Sequence, residues 1–131
     1  DYSMEVDARV VVLPEKGAEY GIVARRDDKD YYQFVVTASG YYGAWKSVGG
    51  EWTTLVDWFK SDAIKQGANV VNRLGIDCRG SAMRFYANGT LLVEVEDESF
   101  PSGQIGLVAG SFKDGGGVHI AFDNVVVYEV E

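Results

Sequence analysis

The chain has 131 residues and a mass of 14.4 kDa, which corresponds to one domain and excludes a multidomain organisation. Hydrophobic residues make up 47% of the sequence and charged residues 24%, a composition typical of a globular protein rather than of a disordered chain. The 12 Lys and Arg residues against 20 Asp and Glu give a net charge of −8, so nucleic acid and anionic membranes are poor partners. No stretch approaches the roughly 20 apolar residues of a membrane span.

Apolar and polar residues alternate along almost the whole chain, and glycine-rich or acidic turns interrupt the alternation about every 8 to 12 residues. This pattern is typical of an antiparallel all-β sandwich or barrel. In the first half of the chain it predicts five strands, over residues 4–12, 20–26, 32–38, 41–48 and 51–58. Gly49-Gly50 predicts a tight hairpin turn between the last two of them.

The alternation fails between residues 60 and 69, where a short helical turn over 61–66 is one alternative. It resumes in five further segments, over residues 70–78, 83–87, 91–95, 105–109 and 118–128. Asn88-Gly89 is the strongest short hairpin signal in the sequence. Residues 1–131 are therefore predicted to form a single domain, a two-sheet antiparallel β-sandwich of about ten strands.

Several motifs carry a resemblance to a known superfamily. They are Tyr20-Gly21-Ile22-Val23-Ala24-Arg25, Tyr31-Tyr32-Gln33-Phe34, Gly50-Glu51-Trp52-Thr53-Thr54-Leu55, Asn72-Arg73-Leu74, Cys78-Arg79-Gly80, Phe85-Tyr86-Ala87-Asn88-Gly89, Gly103-Gln104-Ile105-Gly106-Leu107 and Phe122-Asp123-Asn124-Val125. With these motifs the chain resembles the concanavalin A-like lectin/glucanase superfamily. Its second half is similar to the laminin-G-like jelly-roll modules of bacterial surface and secreted proteins. The resemblance implies a jelly roll, an extracellular or cell-surface location and a glycan partner.

The beginning of the chain departs from this superfamily, whose members usually have one or two strands before the segment that starts here at Asp1. The sandwich is therefore expected either to be trimmed or to leave a sheet edge that a partner covers. A chain that starts without Met is also expected to be a mature or excised piece of a longer protein.

The acidic motif of the related glycoside hydrolases is incomplete. Laminarinase-type enzymes of this superfamily place three acids on one strand, so that the nucleophile and the acid/base share the cleft face. Glu5 and Asp7 begin such a pattern, but Arg9 and Val10 occupy the positions at which the third acid is required. The sequence therefore predicts a non-catalytic protein.

Aromatic residues are concentrated between residues 41 and 58. Sugars bind proteins by stacking their apolar faces on aromatic rings while polar side chains take the hydroxyls. Trp52 and Trp58 are in phase with Val56 and are assigned to the core, which leaves Tyr41 and Trp45 as stacking platforms. The candidate polar contacts lie on faces opposite the predicted core, and they are Arg25, Gln33, Arg84 and Tyr86. Because alternation does not tell which sheet is concave, this set mixes possible sites.

Calcium is one alternative for the acidic loop that contains Asp27, Asp28 and Asp30, since relatives in this superfamily often bind it, and Asp123 is a second place for it. The loop lacks the order of an EF-hand. An ordinary solvated turn is the other alternative.

Together these observations predict a non-catalytic carbohydrate-binding module of a secreted or surface protein. The alternative is a structural or assembly subunit of a fibre or surface layer. Such a subunit would associate through an open sheet edge or through strand exchange, and the apolar last segment over residues 125–130 suits that role.

Overall fold

A computed structural model describes residues 1–14, 17–111 and 118–129. The described residues form ten strands: β1 (Tyr2–Val12), β2 (Ala18–Asp27), β3 (Asp30–Thr37), β4 (Tyr41–Val48), β5 (Glu51–Lys60), β6 (Val71–Arg79), β7 (Ala82–Ala87), β8 (Thr90–Glu96), β9 (Gln104–Ser111) and β10 (His119–Glu129). None of these residues belongs to a helix of the length and apolarity that a membrane crossing requires.

The strands are arranged in two five-stranded antiparallel sheets. Sheet A has the order β10-β1-β6-β7-β8, and sheet B has the order β5-β4-β3-β2-β9. The predicted two-sheet antiparallel sandwich is therefore confirmed. The first strand, β1, lies inside sheet A with β10 on one side and β6 on the other. The edges of the two sheets are β10, β8, β5 and β9.

The predicted hairpin turns form because their central residues adopt positive φ angles. Asn88 and Gly89 have φ angles of 53° and 81°, and Gly49 and Gly50 have 60° and 91°. Two-residue turns of this kind twist in the same sense as the strands that they join. These turns set the register of the β7–β8 and β4–β5 hairpins.

The core lies between the sheets and is built from the alternate residues that each strand turns inward. Phe34 of sheet B packs against Phe85 of sheet A with ring centroids 5.6 Å apart, and both rings are fully buried. Cys78 is also buried, and burial raises the pKa of its thiol to about 11. Its phase with the buried strand residues predicted the role of a small hydrophobe, and the structure confirms this.

Residues 61–66 form an irregular loop rather than a helical turn. Ile64, which is 3% exposed, anchors this loop in the core. The Asn72 side chain accepts a hydrogen bond from the Lys65 amide at 2.8 Å and donates to the Lys65 carbonyl at 3.0 Å. The Asn88 amide donates to the Ala63 carbonyl at 2.8 Å. These side chains satisfy backbone groups that a helix would satisfy internally.

A carboxylate at the end of β8 links the two sheets. Asp97 accepts hydrogen bonds from the Tyr32 hydroxyl at 2.6 Å, the Lys46 ammonium at 2.9 Å and the Ser99 amide at 2.9 Å. Burial by itself would raise the pKa of Asp97, but the hydrogen bonds from Tyr32, Lys46 and Ser99 outweigh it and hold that pKa well below its usual range. The charged carboxylate therefore stabilises the fold.

We expect the Asp97→Asn variant to lower the free energy of unfolding at pH 7 by about 2 kcal/mol, because hydrogen bonds to a charged group contribute about 1.5 to 3 kcal/mol. The folded-state pKa is depressed, so this stabilisation is fully present above the unfolded pKa of about 3.9 and is lost as the pH falls towards the folded value. Urea unfolding at pH 7 and at about pH 3 measures the effect. The exposed Asp62→Asn variant is the control. If the difference in free energy of unfolding between the wild-type protein and Asp97→Asn is as large at about pH 3 as at pH 7, the charged Asp97 carboxylate is not the source of the stabilisation.

Candidate functional site

Two β-bulges determine which side chains of β5 face solvent. The residue pairs that flank them along β4 and β5 are Tyr42–Phe59, Ala44–Val56 and Trp45–Thr54. In each of the two intervals β5 has one residue more than β4. A bulge of this kind shifts the alternation of faces by one residue. Val56 consequently faces the core, whereas Trp52 and Trp58 face outward.

The prediction that Trp52 and Trp58 belong to the core is therefore wrong. Trp52 is 52% exposed, and both indoles line an open groove on the outer face of sheet B. The Trp58 ring lies 4.7 Å from the Trp45 ring, centroid to centroid, at an interplanar angle of 59°. Uninterrupted alternation would place Trp52 and Trp58 on the same face as Val56. A bulge on each side of Val56 moves the two tryptophans to the opposite face.

The groove has a volume of about 260 Å³, and we call it the tryptophan groove. Its lining residues come from β2, β3, β4 and β5, and they are Glu19, Gln33, Trp45, Trp52 and Trp58. Gly43 gives the Trp45 indole its position, because a Cβ atom on Gly43 would overlap the six-membered ring of Trp45. The indole consequently lies over Gly43 of its own strand and lines the groove.

Glu19 and Gln33 supply the polar groups of the groove. Burial raises the pKa of the partly buried Glu19 carboxyl. Burial is the sole cause of this rise, and among the described residues no hydrogen bond or charged group contributes to it. A carboxylate acceptor beside indole rings is available to a ligand hydroxyl. Sequence reasoning missed Glu19, because a glutamate on an outer face looks like an ordinary solvated residue.

Other aromatic residues surround the tryptophan groove without lining it. Tyr31 meets the Trp52 ring edge to face with centroids 5.5 Å apart, and the Arg26 guanidinium lies 5.6 Å from the Tyr31 ring. Tyr41 is on β4, on the same face as Trp45, and is 39% exposed. The structure thus brings together Trp45 and Gln33 of the predicted set, with Tyr41 outside the groove.

Arg25 is a structural residue, which corrects its predicted position on an exposed face. Its side chain is 1% exposed and donates hydrogen bonds to the Gly80 carbonyl at 2.6 Å and the Phe100 carbonyl at 3.3 Å. A β-bulge follows Ala24, and the φ angle of Arg25 is 52°. This bulge turns inward a side chain that alternation directs to solvent. A ligand on the outer face cannot reach it.

Arg84 and Tyr86 lie on β7, on the outer face of sheet A, and hence on the opposite side of the sandwich from the tryptophan groove. Arg84 forms an ion pair with Glu94 of the neighbouring strand. Tyr86 lines a separate groove. The residues predicted to bind a ligand are therefore divided between two faces and the interior.

Two of the four carboxylates considered for calcium accept backbone hydrogen bonds. The Asp30 carboxylate accepts a hydrogen bond from the Gly49 amide at 2.7 Å, and the Asp123 carboxylate accepts one from the Asn124 amide at 2.8 Å. Over residues 1–14, 17–111 and 118–129, no group of three or more His, Cys, Asp or Glu is placed to hold a metal ion. Asp27 is the last residue of β2, and Asp28 lies in the β2–β3 turn with a φ angle of 56°.

No protein-family model matches the sequence, and no curated protein matches it significantly. Solved structures do match. The carbohydrate-binding module CBM66 from Bacillus subtilis has a TM-score of 0.80 and 21% identity, over 98% of this chain and 75% of that chain. Sheep galectin-11 in complex with glycerol has a TM-score of 0.71 and 13% identity, over 97% of this chain and 89% of that chain. The GH43 protein BlXynB from Bacillus licheniformis, a K247S mutant, has a TM-score of 0.71 and 19% identity, over 96% of this chain and 27% of that chain. The chain thus shares the β-sandwich fold of these structures, which agrees with the fold that the sequence resemblance implied.

Proposed function

We propose that this chain is a non-catalytic carbohydrate-binding module that holds a glycan in the tryptophan groove. The observation that carries the proposal is the packed pair Trp45 and Trp58, which lines an open groove together with the Glu19 carboxylate. Sugar rings stack their apolar faces on indoles, and their hydroxyls bond to carboxylate and amide groups. The likeness of the fold to a carbohydrate-binding module and to galectins supports the proposal.

The charge of the groove favours a neutral sugar. Among the described lining residues, Glu19 is the one charged side chain, and the whole chain carries a net charge of −8. A uronic acid in the groove would lose hydration and face a like charge, and both effects oppose binding. Neutral glycans are therefore the proposed ligand class.

The same groove supports a binding role without hydrolysis. Glycoside hydrolases use a pair of carboxyl groups on either side of the scissile bond. Among the described residues that line the groove, Glu19 is the single acid. Glu5 and Asp7, which begin the acidic motif in the sequence, belong to the other sheet, where Arg73 lies 3.6 Å from the first and 3.0 Å from the second.

The proposed ligand also suggests a location. Glycan polymers are displayed outside cells, so we propose that the module works extracellularly or at a cell surface. The net negative charge is compatible with that setting.

A second candidate function is self-assembly through β10. This strand is an edge of sheet A, and its residues 125–128 are 45% to 50% exposed although three of them are valine. An exposed apolar edge is a template for pairing with another strand. A strictly monomeric mass in light scattering across a wide concentration range would exclude this candidate.

Tryptophan fluorescence tests the binding proposal directly, because all 3 tryptophans of the chain line the groove. The protein is titrated with neutral oligosaccharides of glucose, galactose, xylose and fructose, and with oligogalacturonate as the acidic counterpart, each with calcium and with a chelator. A saturable emission change with at least one neutral sugar, and a weaker one with the uronate, is the expected result. No saturable change with any sugar would contradict the proposal.

A further inference from the structure

The outer face of sheet A carries a second groove, on the side of the sandwich opposite the tryptophan groove. Its volume is about 400 Å³, against about 260 Å³ for the tryptophan groove. We call it the tyrosine groove, and the lining residues that matter for its chemistry are Tyr86, Tyr128, Glu5, Arg73, Asp77 and Arg79. None of them contributes to the site proposed above.

Small residues in the middle of the sheet create this groove. In one row across the strands, Gly75 is paired with Glu5 on one side and with Tyr86 on the other. In the adjacent row Tyr128 is paired with Ser3, which is 7% exposed. Large side chains at these two positions would fill the space above the middle of the sheet. The glycine and the serine leave an open floor between Tyr86 and Tyr128.

The width of the floor suits a ligand of sugar size. Tyr128 is on β10 and Tyr86 is on β7, and β1 and β6 lie between these strands. Neighbouring strands are about 4.8 Å apart, so the axes of β10 and β7 are separated by about 14 Å. Tyr128 is 50% exposed, so its ring is open to a ligand that lies on the floor.

The charges of the groove are balanced and held in place. The Arg79 guanidinium lies 3.0 Å from the Asp77 carboxylate. The Arg73 guanidinium lies 3.6 Å from the Glu5 carboxylate and 3.0 Å from that of Asp7, which is outside the lining. Two carboxylates accept hydrogen bonds and two guanidiniums donate them, which matches hydroxyl groups because each hydroxyl does both. A ligand of strong net charge gains nothing from such a balance, whereas a neutral polyhydroxyl compound can bond to both kinds of group.

We propose that the tyrosine groove is a second sugar-binding site, which takes a neutral sugar unit between Tyr86 and Tyr128. The phenol rings provide the stacking surfaces, and the Glu5–Arg73 and Asp77–Arg79 pairs take the hydroxyls. This site acts independently of the tryptophan groove, and its occupation does not require the first site to be filled.

The two sites can be separated by their spectroscopic signatures. Trp45, Trp52 and Trp58 all line the tryptophan groove, and no other tryptophan occurs in the chain. Sugar bound in the tyrosine groove therefore produces heat in a calorimeter without quenching tryptophan emission. Sugar bound in the tryptophan groove produces both signals.

The test is isothermal titration calorimetry of the Trp45→Ala variant with the same neutral oligosaccharides, followed by the addition of Gly75→Val. A Cβ atom at Gly75 would lie 3.5 Å from the Glu5 Cγ atom and 3.8 Å from the Tyr86 Cβ atom, which are ordinary contacts. The Met4 carbonyl oxygen would also lie at 3.5 Å, so the Cβ atom of valine has no clash and its two methyl groups add volume to the floor of the groove. We expect the Trp45→Ala variant to bind sugar with a heat signal and without a change in tryptophan emission, which we call silent binding. The addition of Gly75→Val should weaken this binding by about 10-fold or more.

A second variant protects the test against a folding defect. Tyr86→Ala combined with Tyr128→Ala removes both stacking rings without adding volume, and Tyr41→Ala removes an exposed tyrosine outside both grooves. We expect the double variant, but not Tyr41→Ala, to lose the silent binding. Heat that is absent from Trp45→Ala with every sugar would overturn the proposal. So would silent binding that survives both groove variants. If the tryptophan groove binds no sugar, the tryptophan emission of the wild-type protein stays unchanged during the titration. That result is distinct from a loss of binding in the tyrosine groove.

Discussion

Replacement of Trp45 by alanine is expected to weaken glycan binding in the tryptophan groove by roughly 30-fold. Trp45 presents its indole to the groove and packs against Trp58 at 4.7 Å, so truncation removes a stacking surface and loosens its neighbour. Central tryptophans of binding sites typically contribute about 2 kcal/mol or more, and about 1.4 kcal/mol corresponds to a tenfold change in affinity. The emission of Trp52 and Trp58 remains available to follow the titration.

The control for this experiment is an exposed aromatic residue of the neighbouring strand β5. Phe59 is 65% exposed and contacts Tyr42 on the other side of the bulge, outside the groove. Phe59→Ala should therefore leave the affinity within about twofold, since a side chain outside a binding site contributes little to it. Equal affinities of Trp45→Ala and the wild-type protein would show that the emission change reports a different site.

Replacement of Arg25 by alanine is expected to lower the free energy of unfolding by about 3 kcal/mol, which corresponds to a fall of roughly 10 °C in the melting temperature. The guanidinium donates to the Gly80 and Phe100 carbonyls and lies 3.4 Å from the Asp1 carboxylate. Its removal breaks charge-assisted hydrogen bonds to these partly buried acceptors, and a hydrogen bond to a charged group contributes about 1.5 to 3 kcal/mol. Urea unfolding at pH 7 measures the loss.

Arg26 provides the matched comparison, because it is the next residue in the chain and is exposed. It contacts the Tyr31 ring at 5.6 Å, and such exposed contacts contribute about 0.5 to 1 kcal/mol. Arg26→Ala should therefore cost less than about 1 kcal/mol. If Arg25→Ala is no less stable than Arg26→Ala, the buried guanidinium does not hold the sheets together.

Much of the fold could be predicted because alternation reports burial directly. Each strand of a sandwich has one buried face, so a strand such as β4 is visible as a run of alternating residues between turns, and its predicted bounds of 41–48 agree with Tyr41–Val48. The loop over 61–66 was less predictable. Its backbone is satisfied by Asn72 and Asn88, which lie on later strands and give no signal in the loop itself.

Three residues were predicted on the wrong face of their strands because β-bulges interrupt the alternation of those strands. Alternation assumes that each strand and its partner contain the same number of residues. The bulges of β5 turn Trp52 and Trp58 to solvent, and the bulge of β2 turns Arg25 inward. An added residue has no local sequence signature of its own and becomes visible only in the pairing of strands. Trp45 and Gln33, which alternation places on the outer face, both line the tryptophan groove.

The placement of the two grooves on opposite outer faces has a consequence for polymeric ligands. The core separates the grooves by the full thickness of two packed sheets, which are about 10 Å apart. A straight polysaccharide that lies in one groove cannot enter the other, so a domain with both grooves filled would bridge two separate polymer strands. Each monomer would then act as a cross-link, and a suspension of fibres would aggregate without any dimerisation of the protein.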